Sequence, residues 1–376
     1  MSTPPEIPTA PASYGDELAD LGRAAGLDRV GVTSADPLDR ARVALDDRKQ
    51  QGLSAGMQFT YRNPGRSTEP RRTLPTARSL VVGALAYATG TEETSATAAK
   101  VAWYAVDDHY ARLRDALGAI AGRLRDDGWE ARVLVDDNAL VDREVAWRAG
   151  IGWFGKNANL LVPGHGSWFV LGSVLTDAVL PVAEHPEPDG CGACSRCLDR
   201  CPTGAIVAPG VVDARRCLAW LVQADGVFPI EHRVALGDRI YGCDDCQLVC
   251  PVNIRHAPPA GSTSGSTTGR WVDLLELLAA TDEELLARHG RWYIPRRDPR
   301  YLRRNALIAL GNVADAGEPS VAAVIQIYLG HDDRILRAQA VWTARRLGLD
   351  RLLEADLVDA SDPEVRAELE AVVVAR

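Results

Sequence analysis

The sequence predicts a three-part α+β protein, and three observations carry that reading. Short apolar runs alternate with amphipathic stretches through the first 183 residues. All eight cysteines crowd between positions 191 and 250. Helical periodicity with an internal repeat fills the C-terminal part. At about 100–200 residues per domain, a chain of 376 residues holds two or three such units.

The elements follow in order. Residues 1–15 carry four prolines in the first eleven positions and read as a loose tail. This opening has neither a basic start nor an apolar run, so no export signal is expected. A domain over 16–183 begins with a helix bearing Leu18, Leu21 and Ala25 on one face. Val30–Val32 is a strand, and Pro37–Gln50 returns to helical spacing. Arg78–Tyr87 is a short apolar run of the buried-strand type after the turn Leu74-Pro75. Asp108–Asp127 is an amphipathic helix with Leu113, Leu117, Ile120 and Leu124 on its stripe. Arg132–Val135 is a strand, Val141–Ala149 a helix and Trp168–Leu175 a strand. This alternation is that of an α/β-type layer within the α+β whole. A cysteine-rich domain spans 184–255, and the Pro/Gly/Ser/Thr-rich stretch 256–270 reads as a flexible linker. Everything from 271 to 376 reads as helical. There YLRRNALIALG at 301–311 aligns with ILRAQAVWTAR at 335–345, a period of 34. Leu302 meets Leu336, Arg303 meets Arg337, Ala306 meets Ala340 and Leu307 meets Val341, a HEAT-like register.

Composition excludes several classes. With 46% hydrophobic and 25% charged residues, the chain is neither disordered nor membrane-embedded. Its longest uncharged apolar runs fall far below the roughly 18 residues that cross a bilayer. A cytoplasmic monomer without membrane contact is expected. The net charge of −9 argues against nucleic-acid binding over the whole surface but allows a local patch. Only three lysines stand against 39 arginines, which makes Lys156 inside a Gly-Lys-Asn turn conspicuous.

The cysteines carry the most chemistry. Cys191-x2-Cys194-x2-Cys197-x3-Cys201-Pro202 is the bacterial ferredoxin spacing for a [4Fe–4S] cluster. Cys217 precedes Cys243-x2-Cys246-x3-Cys250-Pro251, which repeats the end of that pattern. In two-cluster ferredoxins the cysteine before proline ligates the other cluster. Cys191, Cys194, Cys197 and Cys250 therefore form one quartet, and Cys201, Cys217, Cys243 and Cys246 the other. A pair of zinc sites is the blander alternative, but zinc rarely uses this run.

Three segments exceed what folding alone requires: Val135–Asn138 with Asp142, Gly150–Asn157 with Asn159, and Gly164–Gly172. Glycine at this density lets backbone pass close to a flat ligand, although three ordinary turns would look alike. No GxxxxGK[ST] is present, and Gly150-x-Gly152-x-x-Gly155 follows a helix where a dinucleotide loop would follow a strand. The cobalamin loop DxHxxG is absent as well; Asp107-Asp108-His109 is followed by Arg112 where its glycine belongs. Asp136 ends a strand, a usual position for a pocket acid, while Asp137 or Asn138 could equally cap the next helix.

Taken together, Arg66–Val82, Tyr104 to Leu113, Val135-Asp136, Gly152-Trp-Phe-Gly-Lys156, Gly166-Ser-Trp168, Leu171-Gly172, Thr176-Asp177 and both cysteine runs make the chain resemble the epoxyqueuosine reductases. That family is a group of cobalamin-dependent iron–sulfur enzymes of tRNA modification. The resemblance implies cobalamin in the first domain without a histidine ligand, held by Asp136, Gly155, Lys156, Asn157, Leu160 and Ser167. It implies that Asp136 is the catalytic acid and that electrons arrive singly from an external donor through two [4Fe–4S] clusters. It also implies that the helical domain holds the tRNA anticodon arm. The chain departs from the family pattern at Ala139, Asp142, Ser173 and Val252 and in the order Asp108-His109-Tyr110.

The segment RHGRWYIPRRDPRYLRR at 288–304 holds seven arginines and one acid, with Trp292, Tyr293 and Tyr301 between them. Arginine forks suit phosphates and aromatics suit unstacked bases, so Arg296, Arg297, Arg303 and Arg304 are the RNA-binding candidates. A solvated helix face with internal ion pairs is the alternative. Other readings of the whole chain are a corrinoid reductase of a small molecule, dehalogenase-like, a divergent paralogue, and an electron carrier or HEAT-type adaptor without catalysis.

Overall fold

The computed structural model describes residues 10–11, 13–87, 97–183, 185–255, 269–354 and 361–373. Most of the expected tail and nearly all of the 256–270 linker lie outside the described residues.

The first region contains α1 (Tyr14–Ala24), β1 (Arg29–Ser34), α2 (Asp39–Gln50), α3 (Phe59–Arg62) and α4 (Pro64–Ser67). It continues with β2 (Ser79–Ala86), β3 (Ala98–Val101), α5 (His109–Asp126), β4 (Ala131–Val135) and α6 (Asp142–Arg148). It ends with the short β5 (Trp153–Phe154), β6 (Leu160–Leu161) and the long β7 (Phe169–Thr176). Strands β1, β2, β7 and β4 lie side by side in that order, and every pairing is antiparallel. The alternation of elements is as expected, and the antiparallel ladder makes the sheet part of an α+β fold.

Both faces of this sheet are covered. Strand β2 reads as an unbroken apolar run because Val81 and Leu85 face one helical layer while Leu80 and Val82 face the other. The α5 stripe of Leu113, Leu117, Ile120 and Leu124 is fully buried on the first face. Each such side chain contributes about 1.5–3 kcal/mol on burial. Asp108 starts α5 by accepting a hydrogen bond from the Ala111 amide at 2.9 Å. Val145 and Ala146 of α6 fill the second face beside Leu134 and Leu175. That packing carries the β4–α6 loop, residues 136–141, to the sheet edge.

The cysteine region holds α7 (Arg196–Arg200), β8 (Ile206–Ala208), β9 (Val211–Val212) and α8 (Leu218–Leu221). After these come α9 (Ile230–Leu236), β10 (Arg239–Tyr241), α10 (Asp245–Leu248) and α11 (Pro251–Arg255). The C-terminal region opens with a strand, β11 (Trp271–Asp273), which corrects the all-helical expectation from 271 onward. Helices α12 (Leu274–Ala279), α13 (Asp282–His289), α14 (Arg300–Val313), α15 (Pro319–Leu329), α16 (Arg334–Arg346) and α17 (Pro363–Glu370) follow.

The repeat-bearing segments are α14 and α16, which pack on each other. The matched positions Leu302, Leu336, Ala306, Ala340, Leu307 and Val341 are all buried in one core. The paired arginines also match in role: Arg303 binds Asp282 and Arg337 binds Asp362, each at 2.5 Å.

The three regions are stitched together. Strand β3 pairs with β10 on one side and β11 on the other, so one sheet takes a strand from each region. Arg233 of α9 forms a buried two-bond pair with Glu368 of α17, both contacts at 2.7 Å. The boundaries expected from composition therefore separate sequence segments that share packing.

Candidate active site

A cavity of about 480 Å³ opens between the first region and the cysteine region. Phe59, Tyr87, Tyr104, Tyr110, Phe169 and Trp220 supply aromatic wall, and Asn157–Leu160, Ser167, Val170 and Leu171 extend the lining. Cys201, Cys217, Cys243 and Cys246 all line it. A second, smaller cavity is lined by Cys191, Cys194, Cys197 and Cys250 together with Lys156, Asn157, Arg196 and Arg255. Each cysteine quartet expected from the spacing thus gathers at one cavity, with Cys201 and Cys250 each leaving its own run for the other group. Among the described residues no three His, Cys, Asp or Glu side chains converge tightly enough for a single metal ion. Thiols that cap the corners of a cubane stand further apart than thiols on one zinc. Burial pushes the Cys243 thiol up to about 12 and raises Cys217 and Cys246 as well, so iron must displace protons to bind there.

Polar side chains fix the cavity walls to the cysteine region. The Ser167 amide donates to Asn253 Oδ1 at 2.7 Å, and Ser167 Oγ accepts from Asn253 Nδ2 at 3.0 Å and Gln247 Nε2 at 3.1 Å. Asn157 Nδ2 donates to the Cys246 carbonyl at 3.3 Å. At Gly166 the backbone is left-handed, φ 77°, and a Cβ would stand 2.2 Å from Asn253 Oδ1. Only glycine permits that approach.

Of the residues expected around a corrinoid, Asn157, Leu160 and Ser167 line the large cavity. Gly155 lines neither cavity; it closes the β5–β6 hairpin, where a Cβ would meet Leu161 at 2.5 Å. Lys156 turns to the other quartet and donates to the carbonyls of Gly192 at 2.6 Å and Cys194 at 2.9 Å. Its ammonium braces the first cysteine loop, a role that spacing alone did not reveal. No histidine is among the residues lining the large cavity. An aromatic-rich lining that also includes a thiol quartet fits a flat macrocycle.

Asp136 follows the last residue of β4 with φ 52°, a left-handed conformation that costs a non-glycine residue energy and often marks a functional site. Helix capping does not explain it. Asp137 Oδ1 accepts from the Ala139 amide at 2.8 Å and holds the local turn, while α6 has no side-chain cap. Asp136 is not itself a lining residue, but its charge is felt by Tyr110, which is. Desolvation raises the Asp136 carboxyl above its ordinary value; Arg114 opposes that and Asp137 adds to it. Asp142 is pushed up to about 8, first by burial and then by Asp136, with Arg143 opposing. Sequence reading placed Asp142 in the segment that follows Val135–Asn138 and among the departures from the family; half-buried at the head of α6, it forms a carboxyl pair with Asp136.

The arginine segment divides. Arg296 and Arg297 are exposed on consecutive left-handed residues, φ 52° and 54°. Arg296 reaches Asp225 at 3.1 Å, and Arg297 donates to the Gly290 carbonyl at 3.0 Å. Arg303 is tied to Asp282 and donates to the Ala280 carbonyl at 2.8 Å. Arg304 corrects the expectation outright, because it is fully buried and meets no phosphate from there. Its guanidinium donates to the carbonyls of Leu221 at 3.1 Å, Ala224 at 2.9 Å and Gly226 at 2.7 Å. It thereby holds the turn after α8, whose Leu218, Ala219 and Trp220 line the large cavity.

No helix among the described residues is long and apolar enough to cross a membrane. Residues 190–253 match the family described as 4Fe-4S double cluster binding domain. The chain is 32% identical over 343 residues to the epoxyqueuosine reductase of Bacillus cereus, covering 88% of each chain. It is 34% identical over 352 residues to that of Xanthomonas campestris, covering 90% of this chain and 98% of the relative. A crystal structure of epoxyqueuosine reductase with an epoxyqueuosine-modified tRNA-Tyr stem loop superposes with a TM-score of 0.83 at 29% identity, over 95% of this chain and 98% of that one. Similarity of this extent takes in the first region, the paired cysteine quartets and the helical region alike, and the chain belongs to the epoxyqueuosine reductase family.

Proposed function

We propose that this protein reduces epoxyqueuosine in tRNA to queuosine, with a [4Fe–4S] cluster in each cysteine quartet and cobalamin in the large cavity. One observation carries the reading: a single cavity brings four cluster-type thiols and a broad aromatic wall to one place, with Asp136 outside its lining but near enough for its charge to act on the lining residue Tyr110. Opening the epoxide to an alkene consumes two electrons and two protons and releases water.

Cobalamin, when bound, supplies a strongly reducing cobalt centre that can pass electrons to carbon. Asn157–Leu160, Ser167 and Phe169–Leu171, with Tyr104 and Tyr110, would hold the macrocycle beside the thiol quartet. Asp136 is the proton donor to the epoxide oxygen. Its pKa is raised above the ordinary carboxylate value, the direction that favours a proton donor. Asp142, carrying little charge at pH 7, adds less repulsion than an ionised neighbour would. The α12–α17 region reads as HEAT-like, and the exposed Arg296–Arg297 turn is its contact for the anticodon arm. Electrons come from an external single-electron donor.

The test is a single turnover. Anaerobically reconstituted, dithionite-reduced protein is mixed with an epoxyqueuosine-containing anticodon stem loop, and the nucleosides are analysed by mass spectrometry. Queuosine is the expected product. Protein that holds iron and cobalamin yet leaves the epoxide intact overturns the reading.

A further inference from the structure

The small cavity is unlike the large one. Arg196 of α7 and Arg255 of α11 line it together with Lys156, and no acidic or aromatic side chain does. Both arginines are exposed and, among the described residues, form no ion pair. Gly192, Ala193, Ser195 and Arg196, the residues other than Cys194 between Cys191 and Cys197, are all exposed. Ile254, next to Arg255, is 58% exposed and offers an apolar contact. The charged side chains that line the cavity, a window over this thiol quartet, are therefore all cations, while the exposed Asp189 and Asp199 stand just outside it, bonded to the Cys191 amide and to Ser195.

We infer that this window, with Arg196 and Arg255 at its rim, is the docking site for an acidic single-electron carrier protein of the flavodoxin or ferredoxin class. The inference rests on the proposed function, since it needs a cluster in the Cys191–Cys194–Cys197–Cys250 quartet. The other quartet faces the cavity where the epoxide is reduced, so the outer one is the surface through which electrons arrive. Each encounter oxidises the carrier by one electron and reduces the protein by one, and two encounters supply the pair that the epoxide consumes. Weak redox complexes use small interfaces and rely on opposite charge for speed and orientation. Arginines over the quartet favour approach of an acidic carrier to this face. An RNA phosphate is the other anion to weigh, but the cavity lacks the aromatic side chains on which bases stack.

The test uses reconstituted holoprotein and an acidic flavodoxin as the probe. Calorimetry measures its affinity, and stopped flow measures oxidation of the flavodoxin hydroquinone, each at low and at physiological ionic strength. Arg196→Glu with Arg255→Glu should weaken binding and slow oxidation by about tenfold or more at low salt, and the gap should narrow as salt screens the charges. The Gln pair should fall between. Iron content and reduction by dithionite should match the parent protein. Unchanged flavodoxin affinity and rate with full iron content would overturn this proposal and leave the proposed function standing. Loss of tRNA affinity with an unchanged flavodoxin rate would also overturn it and make the window an RNA contact. Parent protein that takes up no iron would overturn both.

Discussion

The two cysteine quartets share a spacing and differ in their surroundings. Cys201, Cys217, Cys243 and Cys246 face an aromatic cavity, with the buried Leu218, Tyr241 and Asp244 as neighbours in the chain. Cys191, Cys194 and Cys197 sit among exposed residues beside Arg196. The arginine-rich segment repeats the contrast, with Arg304 buried on carbonyls and Arg296 and Arg297 exposed on a strained turn. Residue type therefore names the chemistry, and burial decides which copy works inward and which outward.

The contrast between quartets predicts the largest effect. Cys217→Ser should remove about half of the iron, as loss of one of two cubanes requires, and abolish epoxide reduction. Cys191→Ser should remove a similar share of iron but leave the inner quartet complete. Dithionite-driven single turnover should then survive in part while flavodoxin-driven turnover fails. Equal loss of dithionite-driven turnover in the two variants would erase the distinction.

Next comes the acid at the inner cavity. Asp136→Asn should retain iron and cobalamin and lose about 10²–10⁴ in single-turnover rate, the usual worth of a positioned acid. The parent rate should fall as pH rises through the raised Asp136 pKa, because only the protonated form donates; the variant should lack that limb. Asp142 gives a linked stability test. Its folded pKa, about 8, lies above the ordinary value of 3.8, so its stabilising share is full below about pH 4 and is lost as pH rises towards 8. Asp142→Asn should therefore melt increasingly higher than the parent across that window, by several degrees at its top. A melting difference independent of pH would show that Asp142 ionises freely in the fold.

The sequence made much of this legible. Short apolar runs marked β1, β2, β4 and β7, helical periodicity marked α5 because it buries one stripe, and thiol spacing marked both quartets because cluster geometry is local. Strand β3 escaped notice because its partners β10 and β11 come from distant segments. Lys156 and Arg304 were legible as unusual residues and not in role. A Lys reaching carbonyls 36 and 38 residues away, or an Arg reaching carbonyls some 80 residues away, leaves no local pattern.

Arg304 tests whether buried arginine works as a brace. Arg304→Met frees the Leu221, Ala224 and Gly226 carbonyls, and a buried unsatisfied polar group costs about 1–3 kcal/mol. Removing a desolvated charge offsets part of that, since burial already pulls the Arg304 pKa down to about 9. A net loss of about 2–3 kcal/mol is expected from denaturant melts. Arg304→Lys should recover little, because one ammonium cannot span the carbonyls that the fork reaches. Arg297→Met, on the exposed turn, should change stability by less than about 0.5 kcal/mol.

The smallest effect belongs to the exposed pair. If Arg296 and Arg297 each neutralise one phosphate of the anticodon arm, replacing both by Ala should lower tRNA affinity by about tenfold at physiological salt. The slope of log affinity against log salt should become shallower by about 1.4–1.8 for two lost contacts. Both side chains already have internal partners, Asp225 and the Gly290 carbonyl, and each must exchange that partner for phosphate. This exchange keeps the expected effect modest. Ala also sits less readily than Gly in a left-handed backbone, so Gly replacements serve as a control for turn strain. The Gly pair should lose affinity as the Ala pair does, because both lack the charge. If Gly restores parent affinity, turn geometry and not arginine charge governs binding, and the buried–exposed contrast no longer separates brace from contact.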